Sequence, residues 1–166
     1  MKTYNDAILE RYGTFLVSPP ESLQFADHSP FGVAIDWHIN PLQMKAAGFL
    51  DLLQKLDGLT FGPEGMPMDK WVFYDCSELP GFIYGFAVPH TELTQEERTF
   101  YRLPDDYKGP VPLSMYIAIP MHESGTWFGH NLASLNRQIP KRELHHLGTI
   151  TKSLAMKAYR VERLVG

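Results

Sequence analysis

The 13 prolines and 13 glycines of this 166-residue chain confine its regular elements to short segments. Proline cannot continue a helix or a central strand, and glycine favours turns, so long uninterrupted elements are excluded over most of the sequence. Hydrophobic residues make up 44% of the chain, which is enough for a packed core. The length fits one domain. We therefore expect a single α+β domain spanning residues 1–166.

Three apolar segments predict an antiparallel β-meander with helices packed on its sheet. Trp71–Cys76 and Gly81–Val88 are separated by four residues, a connection typical of a hairpin. Leu113–Ile119 is the third predicted strand, and it ends at a proline. An earlier strand is predicted at Phe31–Ile39.

Helical patterns lie between these strands. Asn40 is a suitable N-cap and apolar residues then recur at helical spacing as far as Gly58, which predicts a helix over residues 41–57 with Leu53 buried. Thr94 and Glu97 have the spacing of a capping box and predict a short helix. Further helices are expected at residues 3–12 and within 140–163, and residues 121–140 are expected to be irregular.

Charge is distributed unevenly along the chain. Residues 1–136 have a net charge of −9, from 8 basic and 17 acidic side chains, whereas residues 137–166 have +5, from 7 basic and 2 acidic side chains. Such a split favours an anionic partner for the basic end. The alternative is that these basic residues neutralise the acidic remainder of the same molecule.

The single cysteine, Cys76, excludes an internal disulfide and a cysteine-rich zinc site. A small buried hydrophobe is the favoured interpretation of it, ahead of a nucleophile. The chain has no apolar run of the roughly 20 residues that would span a bilayer, and its first residues do not resemble a secretion signal. We expect a cytoplasmic protein without a membrane partner.

Two segments could hold a phosphate group. In the first, Gly148 precedes a helix, and hydroxyl and basic side chains surround it, as in a helix N-terminus that binds an anion. Residues 122–135, with Gly125 and Gly129, form the second. An ordinary helix start and a structural loop are the respective alternatives. The candidate ligand-binding residues of the first segment are Arg142, His146, Gly148, Thr149, Thr151 and Lys152.

The predicted elements follow in the order strand, helix, three-stranded meander and glycine-led helix with basic residues before it. This order resembles that of the GNAT-type acyl-CoA N-acyltransferase superfamily. The resemblance implies that a loop after the last meander strand binds the pyrophosphate of coenzyme A through its backbone N–H groups. It also implies acyl-CoA as cosubstrate and a small amine as acceptor. Arg142–Thr149 and Gly125–Leu132 are the two segments that could match the loop, whose typical pattern is Arg or Gln, two residues, Gly, one residue, Gly or Ala.

Within this hypothesis, His122, Glu123 or His130 would accept the proton of the attacking amine, because such groups can act as general bases near neutral pH. The hydroxyl of Tyr116 could face the pocket. The candidate catalytic residues are therefore His122, Glu123, His130 and Tyr116.

Two other functions remain open. A metal-assisted hydrolase would use the set His122, His130, His145 and His146, although the spacing matches no known short metal motif. A non-catalytic binding domain would dock its basic helix on an acidic partner. Nucleic acid is the least favoured partner because aromatic and basic residues do not interleave, and assembly as a homodimer remains open.

Overall fold

The computed structural model describes residues 11–19, 35–44, 47–65, 67–78, 81–139, 142, 146–159 and 161–166. Within these residues, seven strands form one mixed sheet in the order β2-β1-β3-β5-β6-β7, with β4 pairing beside β3. The strands are β1 (Gly13–Val17), β2 (Trp37–Ile39), β3 (Phe82–Pro89), β4 (Pro110–Pro112), β5 (Ser114–Pro120), β6 (Thr126–Ser134) and β7 (Arg163–Val165).

Strand direction changes at both ends of the sheet. β1 and β2 pair in parallel, and so do β6 and β7. The four central strands β1, β3, β5 and β6 pair antiparallel with one another in that order. The sheet is therefore mixed, with an antiparallel centre.

In the part of the chain that the structure describes, five helices pack around this sheet, and short 3-10 turns lie at Pro41–Gln43, Gly62–Glu64 and His90–Glu92. The helices are α1 (Phe49–Phe61), α2 (Lys70–Glu78), α3 (Gln95–Tyr101), α4 (Leu135–Gln138) and α5 (Leu147–Ala158).

The two faces of the sheet are covered by different helices. Phe49 of α1 packs its ring 5.0 Å from that of Phe15, on one face of β1. On the other face, Thr151 of α5 lies 2.6 Å from the hydroxyl of Ser114. Residues 82–88 of β3 are consequently all buried, because helices cover both sides of this central strand.

The strands predicted at 81–88 and 113–119 are confirmed as β3 and β5, but the strand predicted at Trp71–Cys76 is wrong. These residues lie in α2. The side chain of Asp69 accepts a hydrogen bond from the N–H of Trp71 (3.0 Å), and Phe73 and Cys76 are buried at helical spacing. Aromatic residues favour strands, and here tertiary packing overrides that preference. The meander therefore does not include its predicted first strand.

The helix predicted over residues 41–57 is divided. Asn40 does cap a helical turn, through its side chain and the N–H of Leu42 (3.0 Å), but this turn is a short 3-10 segment. Gly48 then takes a left-handed conformation (φ 79°) and α1 begins at the next residue. The helix continues through Gly58 to Phe61, so the predicted end is also wrong.

The irregular stretch predicted at residues 121–140 is replaced by a nine-residue strand, β6, and the short helix α4. Most of Gly125–Leu132, considered above as a glycine-bearing loop, lies in this strand. The capping box of Thr94 and Glu97 is confirmed at the start of α3. The predicted helix at 3–12 and residues 31–34 of the predicted early strand lie largely or wholly outside the described residues. In the described ranges, no helix has the length and apolarity needed to cross a bilayer.

Candidate functional site

The first turn of α5 lies directly over the end of β6. A Cβ atom on Gly148 would be 3.6 Å from the Cβ of Ser134 and 3.7 Å from Leu132, which is ordinary van der Waals contact, so this turn packs closely on the strand. The first helical hydrogen bond joins the N–H of Ile150 to the carbonyl of His146 (3.0 Å). Within the described residues, the amides of Gly148 and Thr149 therefore have no helical partner, and no side chain caps the helix.

Among the described residues, the outer edge of β6 has no strand partner beside this helix start. β7 pairs only with Thr126–Phe128. From Gly129 to Ser134, no strand of the described ranges covers that edge. Backbone N–H and C=O groups on such an edge can pair with an extended ligand, as they would with an added strand.

His130 is the extra residue of a β-bulge in the middle of this edge. Asn131 pairs with Ile117, and Gly129 pairs with Ala118, which leaves His130 without an opposing residue. Bulges commonly re-aim a side chain next to a functional site. The imidazole is exposed, and its Nδ1 lies 2.6 Å from Oδ1 of Asn131.

Tyr116 lies beneath the same bulge. Its hydroxyl is buried and has no hydrogen-bond partner among the described residues. Burial raises the pKa of Tyr116, so the phenol stays protonated and can donate a hydrogen bond. The ammonium of Lys152, on α5, lies 5.9 Å from the centre of its ring.

Ser134 provides a second buried hydroxyl without a partner in the described part of the chain. Ser134 is the last residue of β6 and lies next to Gly148. Buried polar groups are normally hydrogen-bonded, so a hydroxyl without a described partner is available to donate to another group. Tyr116 and Ser134 both contribute such groups where α5 packs on β5 and β6.

Arg142, the predicted phosphate ligand, is instead held by Glu97. Its guanidinium makes two hydrogen bonds to that carboxylate, of 2.8 and 2.6 Å, and a third to the carbonyl of Glu92 (3.1 Å). Burial lowers the pKa of Arg142, but the hydrogen bonds and charge of Glu97, together with Tyr12, outweigh this and raise it overall. This basic residue thus neutralises an acidic one in the body of the protein.

The other predicted ligand-binding residues separate into two groups. Thr151 is fully buried, and its hydroxyl bonds the carbonyl of Leu147 (2.8 Å) and the hydroxyl of Ser114. Its side chain therefore secures α5 to β5. His146 and Thr149 are exposed at the helix start, and Lys152 is half-buried one turn further on.

His122 and Glu123 lie away from His130 and from the start of α5. They are exposed in the turn before β6, where Glu123 approaches Arg163 at 3.8 Å. His130 is four residues beyond Thr126, the first residue of β6, which is roughly 13 Å at about 3.3 Å per residue, and the turn lies beyond Thr126 in the other direction. The fold therefore does not bring His122 and Glu123 together with His130 and Tyr116.

The histidine set also does not converge on a metal site where it is described. His122 lies in the turn before β6, His130 lies in the middle of that strand, and His145 lies outside the described residues. Among the described side chains, no group of three or more potential metal ligands comes together.

Asp57, Asn131 and Ser134 belong to the site but were not predicted from the sequence. Asn131 donates a hydrogen bond from Nδ2 to the buried carboxylate of Asp57, at 2.9 Å. The signal that could have revealed two of them is the β6 sequence itself, in which Gly129, His130 and Asn131 interrupt an otherwise strand-like pattern.

No family model, curated protein or solved structure matches this chain.

Proposed function

We propose that this protein is an acyl-CoA-dependent N-acyltransferase, or a relative that still binds acyl-CoA, and that it acts on a small amine. The observation that carries this is the open edge of β6 leading into the uncapped first turn of α5. The strand edge would offer backbone groups to an extended arm, and the helix start would offer N–H donors to an anion. Coenzyme A combines both chemical features in one molecule.

The order of elements supports the same proposal. β3, β5 and β6 are antiparallel neighbours in the sheet, α4 and then α5 follow β6 along the chain, and β7 pairs parallel to β6. The resemblance to the GNAT-type superfamily was based on a meander followed by a glycine-led helix. If β6 is taken as the last meander strand, the start of α5 at Gly148 and Thr149 would correspond to the pyrophosphate loop of that superfamily.

At the anionic end, the amides of Gly148 and Thr149 would bind the pyrophosphate. The positive end of the helix dipole favours a negative charge there. Lys152 would add a cation from the second turn of the helix, whereas Arg142 is engaged by Glu97 and takes no part. The hydroxyl of Ser134 would donate a further hydrogen bond to the bound coenzyme A.

At the reacting end, the acyl carbonyl would lie near the bulge at His130. The amine nitrogen would attack the thioester carbon, the C–N bond would form, and the C–S bond would break. His130 would accept the proton of the amine through Nε2, and the protonated phenol of Tyr116 would supply a proton to the departing thiolate. Proton exchange with solvent would then restore both side chains.

A thermal-shift and thiol-release panel tests this function. Coenzyme A and short acyl-CoAs should stabilise the protein, by about 2.7 kcal/mol at 100 times the dissociation constant. Free thiol should appear when an acyl-CoA and a primary amine are both present. Stabilisation by divalent metals or polyanions, without any response to coenzyme A, would favour the hydrolase or the non-catalytic alternative instead.

Two lysines of α5 provide a matched pair of variants. Lys152→Ala should weaken coenzyme A binding, since a charge-assisted hydrogen bond contributes about 1.5–3 kcal/mol. Lys157→Ala removes the same charge from an exposed position in the last turn of the helix and should leave binding nearly unchanged. Equal effects from both variants would show that only the overall charge matters.

A further inference from the structure

A chain of hydrogen bonds runs from a buried carboxylate to the exposed imidazole at the bulge. Asp57, on α1, is 1% exposed. Its Oδ2 accepts a hydrogen bond from the N–H of Met68 (2.6 Å), and its Oδ1 accepts one from Nδ2 of Asn131 (2.9 Å). Oδ1 of Asn131 in turn lies 2.6 Å from Nδ1 of His130.

The direction of each bond in this chain follows from the first group. An ionised carboxylate has only acceptors, so Asp57 requires a donor from Asn131, and the amide must turn its NH₂ group inward. Its carbonyl oxygen then faces His130. Because that oxygen can only accept, Nδ1 of the imidazole must carry the proton, and Nε2 of the neutral ring keeps its lone pair.

We propose that Asp57 is a positioning residue that acts through Asn131 to hold His130 as the Nδ1–H tautomer, with Nε2 available as a base at the open edge of β6. This assignment rests on the proposed function only in naming the proton that Nε2 accepts, which is that of the attacking amine. The tautomer itself is a property of the protein without any ligand.

The bulge is what makes this arrangement compatible with the sheet. Asn131 remains paired with Ile117 and its side chain extends toward α1, on the face covered by that helix. The additional residue, His130, is thereby free to reach the edge instead of alternating with its neighbours. The adjacent residues His130 and Asn131 thus connect the buried carboxylate of Asp57 to the exposed imidazole of His130.

The unmodified protein gives the first test. The ring ¹⁵N chemical shifts and two-bond ¹H–¹⁵N couplings of His130 distinguish the two tautomers. They are measured at about pH 8, where an ordinary imidazole is neutral. The expected result is a protonated Nδ1 and an unprotonated Nε2. A protonated Nε2, or rapid averaging between both forms, would overturn the assignment.

Asp57→Asn gives a sharper test because it should invert the tautomer. The N–H of Met68 still requires an acceptor, so the new amide places its oxygen there and its NH₂ group toward Asn131. Asn131 must then turn its oxygen inward and present its NH₂ group to His130. Nδ1 becomes an acceptor, and the proton moves to Nε2. A spectrum with the parent tautomer in this variant would contradict the chain of bonds.

Kinetics separate the positioning role from the proposed function. Asp57→Asn should lower kcat by about 10²-fold, the lower end of what a general base contributes, with little change in KM for the acyl-CoA. Asp51→Asn makes the same change at an exposed position of the same helix and should leave both constants unchanged. If the tautomers behave as expected but no acyl transfer occurs, the proposed function fails while the positioning of His130 stands. If transfer occurs and kcat is insensitive to Asp57, the positioning role fails alone.

Discussion

The hydroxyl of Tyr116 occupies the space that a side chain on Gly129 would need, since a Cβ atom there would lie only 2.5 Å from the phenol oxygen. Gly129→Ala should therefore displace the Tyr116 ring and lower the free energy of unfolding by about 1–3 kcal/mol. Urea denaturation measures the effect. Tyr116→Phe removes the oxygen, so the alanine should cost less in that background, as a double-mutant cycle would reveal.

Gly58→Ala is the matched control. Gly58 lies inside α1, and an added Cβ there would contact nothing within 4 Å. Alanine should raise stability by about 0.5–1 kcal/mol, because glycine is unfavourable in a helix interior. If Gly129→Ala were equally stabilising, the close approach of Tyr116 would be refuted.

The buried pair of Arg142 and Glu97 should be essential for stability. Their side chains are only 9% and 2% exposed. Arg142→Ala should cost about 3–5 kcal/mol, because it leaves a carboxylate buried without its partner. Arg163→Ala, in contrast, removes a pair with Glu123 whose side chains are 69% and 75% exposed, and should change stability by less than about 1 kcal/mol. Near-equal effects in urea denaturation would contradict this.

Sequence reasoning located the elements whose local signals agree with their packing. The capping box at Thr94 and Glu97, the apolar strands β3 and β5, and the burial of Leu53 are of this kind. It failed where tertiary context decides. The aromatic residues of α2 are typical of a strand, yet they pack as a helix that Asp69 begins.

The site was only partly predictable for the same reason. His130 and Tyr116 were named as candidates, but β6 was missed because glycine and polar residues obscure its alternation. Without that strand, nothing in the sequence could link Asn131 to Asp57, which is 74 residues away. Arg142 was predicted to bind a ligand but does not, because nothing in the sequence indicates that Glu97, 45 residues away, will bind it.

Leu53 tests the apolar side of α1. It is fully buried in the core. Leu53→Ala should therefore cost about 2–5 kcal/mol. Leu42 belongs to the same predicted helical pattern but is 77% exposed. Leu42→Ala should therefore change the free energy of unfolding by less than about 0.5 kcal/mol. A small effect at Leu53 in urea denaturation would mean that α1 packs through another face.

Stability should fall at alkaline pH because of buried tyrosines. Burial raises the pKa of Tyr84, Tyr101 and Tyr159 above the ordinary value. Their stabilising contribution is complete below about pH 10, where unfolded tyrosine ionises, and is lost as the pH rises through the higher pKa of the folded state. Each tyrosine should reduce the free energy of unfolding by up to about 1.4 kcal/mol per pH unit in that window. Urea denaturation between about pH 9 and 11 measures the slope, and Tyr101→Phe should reduce it; a flat profile would contradict the prediction.

The central claim is that coenzyme A binds along the open edge of β6 and at the start of α5. Titrating ¹⁵N-labelled protein with coenzyme A and following the backbone amide resonances tests it most directly. The account predicts the largest, saturable shifts at Gly148 and Thr149 and along residues 129–134, with little change at the turn that contains His122 and Glu123. Saturable binding that leaves Gly148 and Thr149 unperturbed while shifting amides elsewhere, or no binding at all, would contradict it.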